Sequence, residues 1–169
     1  MKKFIALMLV IAMAASLAAC GNKAADKTPL EGTMEENTMK VMEIAPVEFM
    51  GGTIPVDLTD ADAVYYFTGL SSAQNITDVA VYESMMGSQA FSLVMVRTAE
   101  GADPKAVAEE MKSGIDPRKW ICVGADEIMA AGYGDTVMFI MLDSQLGLSA
   151  QSYVDAFAQV AGGELDFTI

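Results

Sequence analysis

The chain has 169 residues, with 10 Lys+Arg against 23 Asp+Glu, a formal net charge of −13 and 0 His. That charge repels nucleic acid and anionic lipid headgroups, so neither suits it as a partner. The missing histidines remove the usual general base and the commonest metal ligand together.

Lys2 and Lys3 precede an almost unbroken apolar run from Phe4 to Ala15, followed by Leu17-Ala18-Ala19-Cys20 and Gly21. A basic start, an apolar core and small residues are the order of an export signal. The run is shorter than the about 20 residues of a comfortable membrane span. Cysteine directly after Leu-Ala-Ala resembles the lipobox of bacterial lipoproteins. That resemblance implies a diacylglyceryl group on the Cys20 thiol and cleavage just before it. Two acyl chains hold a protein firmly where one holds it marginally. The chain therefore divides into a signal peptide (1–19), a lipidated cysteine with a flexible tether (20–36) and an extracytoplasmic domain (37–169). The domain's length is enough to bury a core of its own. Losing Lys2 and Lys3 moves the net charge from −13 to −15. Solubility is the simplest role for such a surface, with a cationic ligand or metal ion as the alternative. Gly21 to Glu36 lacks apolar periodicity and reads as a chain reaching roughly 20–25 Å.

Met39, Val41 and Met42 predict a short helix stopped by Pro46, and Gly51-Gly52 with Pro55 marks a loop. Thr59 or Asp60 caps a helix through Val64 and Phe67 that ends at Gly69. Asp78–Met86 and Gln89–Arg97 read as strands joined by a two-residue Gly87-Ser88 loop of type II′. In the second run Phe91, Leu93 and Met95 face one way and Ser92, Val94 and Val96 the other, which marks a central strand. Asp103-Pro104 opens a helix with Val107, Ala108 and Met111 inward and Gly114 as its stop. Glu127–Ala131 and Thr136–Leu142 follow as strands joined through Gly132-Tyr133-Gly134-Asp135. Ser149 caps a last helix carrying Ala150, Tyr153, Val154, Phe157, Ala158 and Ala161, closed by Gly162-Gly163. The expected fold is a single α+β domain, an antiparallel sheet of about four strands with helices on one face. After an N-terminal helix, its order is strand-strand-helix twice.

Asp116-Pro117-Arg118-Lys119-Trp120-Ile121-Cys122, Ala131 to Asp135, and Ala102 to Met111 together resemble an uncharacterised family of Gram-positive lipoproteins. The resemblance covers roughly Asp57 to Gly163 and includes the lipobox architecture. It implies location and fold, and it carries over no functional residue.

No nucleophile elbow, Ser-x-x-Lys pair, phosphate loop or Cys-x-x-Cys is present, so no catalytic residue, metal ligand or cofactor is assigned. Asp57, Asp60 and Asp62 fail as a calcium loop, since Tyr65 stands where glycine is needed, and they read as capping acids. Asp126-Glu127 is the starting point for the remote alternative, a carboxylate-based hydrolase. Met85, Met86, Met95, Met138 and Met141 suit a soft ion but read better as adaptable core filler. Cys122, in the apolar run Trp120 to Val123, is expected to be a small buried hydrophobe. Arg118 and Lys119 beside Trp120 are the candidate partner-binding residues. The expected function is a non-catalytic binding or interaction module held by lipid on the extracytoplasmic face of the cell membrane. Its partner is a small solute or ion, or alternatively another envelope protein that it scaffolds or inhibits. A large apolar pocket favours the first and a flat exposed apolar patch the second.

Overall fold

The computed structural model describes residues 27–169. The expected signal peptide, Cys20 and the first part of the expected tether lie outside the described residues. Helix α1 spans Met34–Ile44, five residues earlier than the pattern from Met39 suggests and inside the stretch expected as tether. Thr33 and Glu36 form a capping box that satisfies two otherwise unpaired N–H groups. With its start secured in this way, the helix buries Met34, Val41 and Met42.

The elements that follow are β1 (Gly51–Ile54), α2 (Ala61–Thr68), β2 (Ile76–Ser84), β3 (Phe91–Thr98) and α3 (Pro104–Gly114). They continue with β4 (Glu127–Tyr133), β5 (Thr136–Leu142), a 3-10 turn (Ser144–Leu146), α4 (Ala150–Ala161) and β6 (Phe167–Thr168). Asp60, Asp103 and Ser149 cap α2, α3 and α4 through side-chain oxygens, and Gly69 and Gly162 close α2 and α4 in the left-handed region. Gly114 serves a different purpose from the expected helix stop. A Cβ there would lie 2.0 Å from the Gly69 carbonyl oxygen, so it is the packing of α2 against α3 that requires a glycine.

The fold is α+β with one antiparallel sheet of six strands in the order β1-β2-β3-β5-β4-β6. The sheet exceeds the expected four because β1 and β6, of four and two residues, are too short to show an alternating pattern. The helices lie on both faces, not one. α1 and α4 pack on the face carrying Phe91, Leu93, Met95, Met138 and Ile140. α2 and α3 pack on the face carrying Val81, Val94, Val96, Val137 and Phe139. The physical reason lies in the central strands, since every residue of β5 is buried and cover on one side would leave half of them in water.

The two hairpins differ from expectation in an instructive way. Strands β2 and β3 stop at Ser84 and Phe91, and Gly87 lacks the positive φ that a type II′ turn demands. Instead the Ser84 hydroxyl accepts from the Met86 N–H and donates to Gln89 Oε1, which builds a longer loop. The tight two-residue turn falls between Tyr133 and Thr136, where Gly134 takes φ 57°. The sheet thus has two ends. The near pole gathers Gly134, Thr98 and the start of the described chain, and the far pole gathers the β2–β3 loop, Met50 and the segment after α3.

Candidate functional site

One row of residues crosses the α2–α3 face of the sheet close to the far pole: Gly52, Glu83, Ser92, Met141 and Ile128 are successive cross-strand neighbours. Glu83 is in phase with Val81 and therefore points into the core, where an isolated carboxylate costs heavily unless it is paired. Two groups satisfy it. The Ser92 hydroxyl donates to Glu83 Oε1 at 2.7 Å, and the Lys119 ammonium reaches the same oxygen at 2.5 Å. The Lys119 side chain is only 2 % exposed. Its Nζ lies 4.9 Å from the Tyr66 ring centroid, 5.3 Å from Phe67 and 5.4 Å from Trp120, within cation–π range of all three. Burial pulls the Lys119 pKa below its ordinary value, and the Glu83 charge opposes that shift.

The three residues singled out in the sequence are therefore split. Lys119 is committed to an internal ion pair and is not free to grip a partner. Trp120 is half-buried against the second core cluster and helps enclose Lys119. Arg118 is exposed, with its backbone N–H held by Asp116 Oδ1 at 2.8 Å. Sequence reasoning passed over Glu83, Ser92, Tyr66 and Phe67. The available signal was a lone acid on the inward phase of an apolar strand, which calls for a buried cation.

Cys122 is exposed, contrary to the expected burial. The run from Trp120 forms bends and not a strand, so Trp120 turns inward while Ile121, 92 % exposed, and Cys122 turn out. Other large apolar side chains reach solvent at the same pole: Met50 (74 %), Met85 (67 %) and Met86 (51 %). They are joined through the backbone, since the Met85 N–H donates to the Met50 carbonyl at 2.9 Å.

The remaining candidates resolve into scaffolding. Asp60 caps α2, and Asp57 accepts from both the N–H and the hydroxyl of Thr59, bonds that lower its pKa. Asp126 accepts from the N–H and hydroxyl of Ser144, while Glu127 accepts from the Ala150 N–H at the start of α4. Met95 and Met138 pair across strands on one face, Met141 lies on the other, and Met85 and Met86 are in the loop, so the structure does not bring these five together. Among the described residues no group of three or more Cys, Asp or Glu is placed to hold a metal ion. No helix among them is long and apolar enough to cross a membrane. An open cleft of about 370 Å³ at the near pole is lined by Lys27, Thr98, Glu100 and Asp135, among others. Comparison of the chain with protein families, with curated proteins and with solved structures finds no match.

Proposed function

We propose that this chain is a lipid-anchored, non-catalytic interaction module of the extracytoplasmic membrane face whose far pole contacts another envelope protein. The observation that supports this reading is the solvent-exposed group Met50, Met85, Met86 and Ile121 at one end of the sheet. Single exposed apolar residues are ordinary, but a group at one pole marks a contact surface. The near-pole cleft is open, and its lining mixes Lys27, Glu100 and Asp135 with Pro29, Ala99, Ala102 and Pro104, unlike the enclosed apolar pockets that hold small ligands. Glu48, Asp116 and Asp126, all exposed, lie within a few residues of Met50 and Ile121 along the chain, with Arg118 beside Asp116. A partner surface of apolar residues rimmed by Lys and Arg complements that pattern. The lipobox at Cys20 and the resemblance to Gram-positive lipoproteins support the location.

A photo-crosslinking residue replacing Met86 in the full chain tests the contact in cells. The expected result is an adduct that disappears with Met85→Asp plus Ile121→Asp and whose attached peptide is apolar with flanking basic residues. An adduct indifferent to those substitutions overturns the partner reading. A thermal-shift screen of residues 27–169 against metal ions, amino acids, sugars, peptidoglycan fragments and polyamines tests the competing reading. A ligand at a hundred times its Kd adds roughly 2.7 kcal/mol, and a saturable rise in midpoint transfers the assignment to that solute. Cys20→Ala should leave the protein uncleaved or shed from the membrane fraction, and unchanged fractionation and lipid labelling remove the anchor.

A further inference from the structure

The anchor reading sets a covalent constraint that the structure turns into an orientation. The described chain is held to the domain from its first residue. Lys27 forms an ion pair with Asp166 at 2.7 Å, donates to the Glu164 carbonyl and lies 4.8 Å from the Tyr133 ring centroid. Arg97 then holds the next turn of chain, donating to the carbonyls of Leu30 at 2.6 Å and Gly32 at 3.1 Å. Leu30 packs on the first core cluster, and Gly134 lies against the backbone of Lys27 and Pro29. The attachment point is therefore the near pole, beside the β4–β5 turn.

Lys27 is seven residues after Cys20. Seven residues span at most about 25 Å even when fully extended. The eight steps of β2 from Ile76 to Ser84 run from the near pole toward the far pole, about 26 Å at roughly 3.3 Å per residue, and Met85 and Met86 lie beyond its end. Turning the domain over, so that the far pole rests on the lipid, lifts Lys27 at least about 26 Å above the headgroups, past the full extension of that leader and well past its average reach of about 15 Å. The seven residues that remain before the held segment are also far fewer than the tether running to Glu36 that the composition suggests.

We infer that the anchored domain stands with its near pole toward the bilayer and its far pole outward. The Met50, Met85, Met86 and Ile121 surface is then offered to a protein roughly 30 Å above the headgroups, and not to the bilayer itself. This inference rests on lipidation of Cys20. It separates two uses of an exposed apolar group on a lipoprotein, insertion into lipid and contact with protein, and it selects the second.

Energy transfer from two positions of the full lipidated chain, in phosphatidylcholine vesicles carrying an acceptor on a headgroup, tests it. Cys122 is an exposed thiol at the far pole and takes the donor directly. The Glu100→Cys, Cys122→Ser variant places the same donor on an exposed near-pole position. Stronger transfer from position 100 than from position 122 is the expected result, and a Gly/Ser insertion of about twenty residues after Gly21 should erase the difference. Equal transfer from the two positions in the uninserted chain, or stronger transfer from 122, overturns the orientation. Failure of the protein to float with the vesicles overturns the anchor reading itself, so the two failures are distinguishable.

Discussion

The two faces of the sheet bury similar amounts of chain by different chemistry. On the α1–α4 side the core is almost wholly apolar and centres on Phe91, whose ring meets Phe49 at 5.4 Å, Tyr153 at 5.2 Å and Tyr82 at 6.2 Å in edge-to-face contacts. Among its buried polar groups, Asn37 donates to the Glu31 and Thr33 carbonyls, while Thr38 Oγ1 and the Tyr153 hydroxyl have no hydrogen-bond partner. On the α2–α3 side the core contains a full ion pair, Lys119 with Glu83, supplied with a hydroxyl and three aromatic rings. An apolar face gains from every atom it buries. A buried pair returns little net stability, yet it fails badly if only one partner is removed. The difference shows where this protein uses chemistry to place a loop: Lys119 ties the irregular segment after α3 to the sheet, and that segment carries the exposed Ile121 and Cys122.

The largest effect on the apolar face should come from Phe91→Ala, which opens a cavity among three aromatic residues. A loss of about 3–5 kcal/mol is expected in denaturant titration, and a loss under about 1 kcal/mol would show that the face repacks freely. On the other face Lys119→Met should cost a similar 3–5 kcal/mol by leaving the Glu83 charge buried and alone. Here, however, the cost should be recoverable, because adding Glu83→Met removes the orphaned charge and brings stability back close to wild type. A double variant no more stable than the single one contradicts the account of the pair. Where α2 meets α3, Gly114→Ala should destabilise by about 1–3 kcal/mol through overpacking against the Gly69 carbonyl.

The smaller effects separate the faces by pH. Burial, with the nearby Tyr82 adding to it, pushes the Tyr153 pKa up to about 12 from 10.0. The unfolded chain loses that proton first, so this residue's contribution to stability falls as pH rises from about 10 to about 12. Lys119 behaves oppositely. Its pKa is lowered in the fold, so the unfolded chain holds the proton longer and stability rises with pH up to about 10.5. Comparing wild type with Tyr153→Phe and with the double methionine variant across that range should yield pH slopes of opposite sign. At neutral pH Tyr153→Phe should be neutral or stabilising by about 1 kcal/mol, since it deletes an unpaired buried hydroxyl. A clear loss would mean that the hydroxyl is satisfied.

Local signals carried much of the fold, because a cap or a tight turn is decided by a few neighbouring residues. Asp60, Asp103 and Ser149 start their helices where expected, and Gly69 and Gly162 end two of them. The double-sided apolar pattern of β3 was equally readable and marked a central strand, although the expectation of helices on one face left half of that pattern uncovered. The capping box at Thr33 and Glu36 was also present in the sequence, masked by the polar composition around it. The hairpin at Gly87 was not decidable locally, because Ser84 and Gln89 settle a longer loop through their side chains.

The sequence alone determined the α+β class, a strongly acidic composition and the lack of any histidine chemistry. Only the tertiary structure decided which side chains meet. Lys119 and Glu83 are 36 positions apart and pair because the segment after α3 returns over the end of β2. Met50 and Met86 share a pole for the same kind of reason, since β1 pairs with the end of β2. Period and propensity act over one turn or one strand. Contacts between distant segments depend on how strands order within the sheet and on which face each helix covers, and those are settled only when the whole core closes.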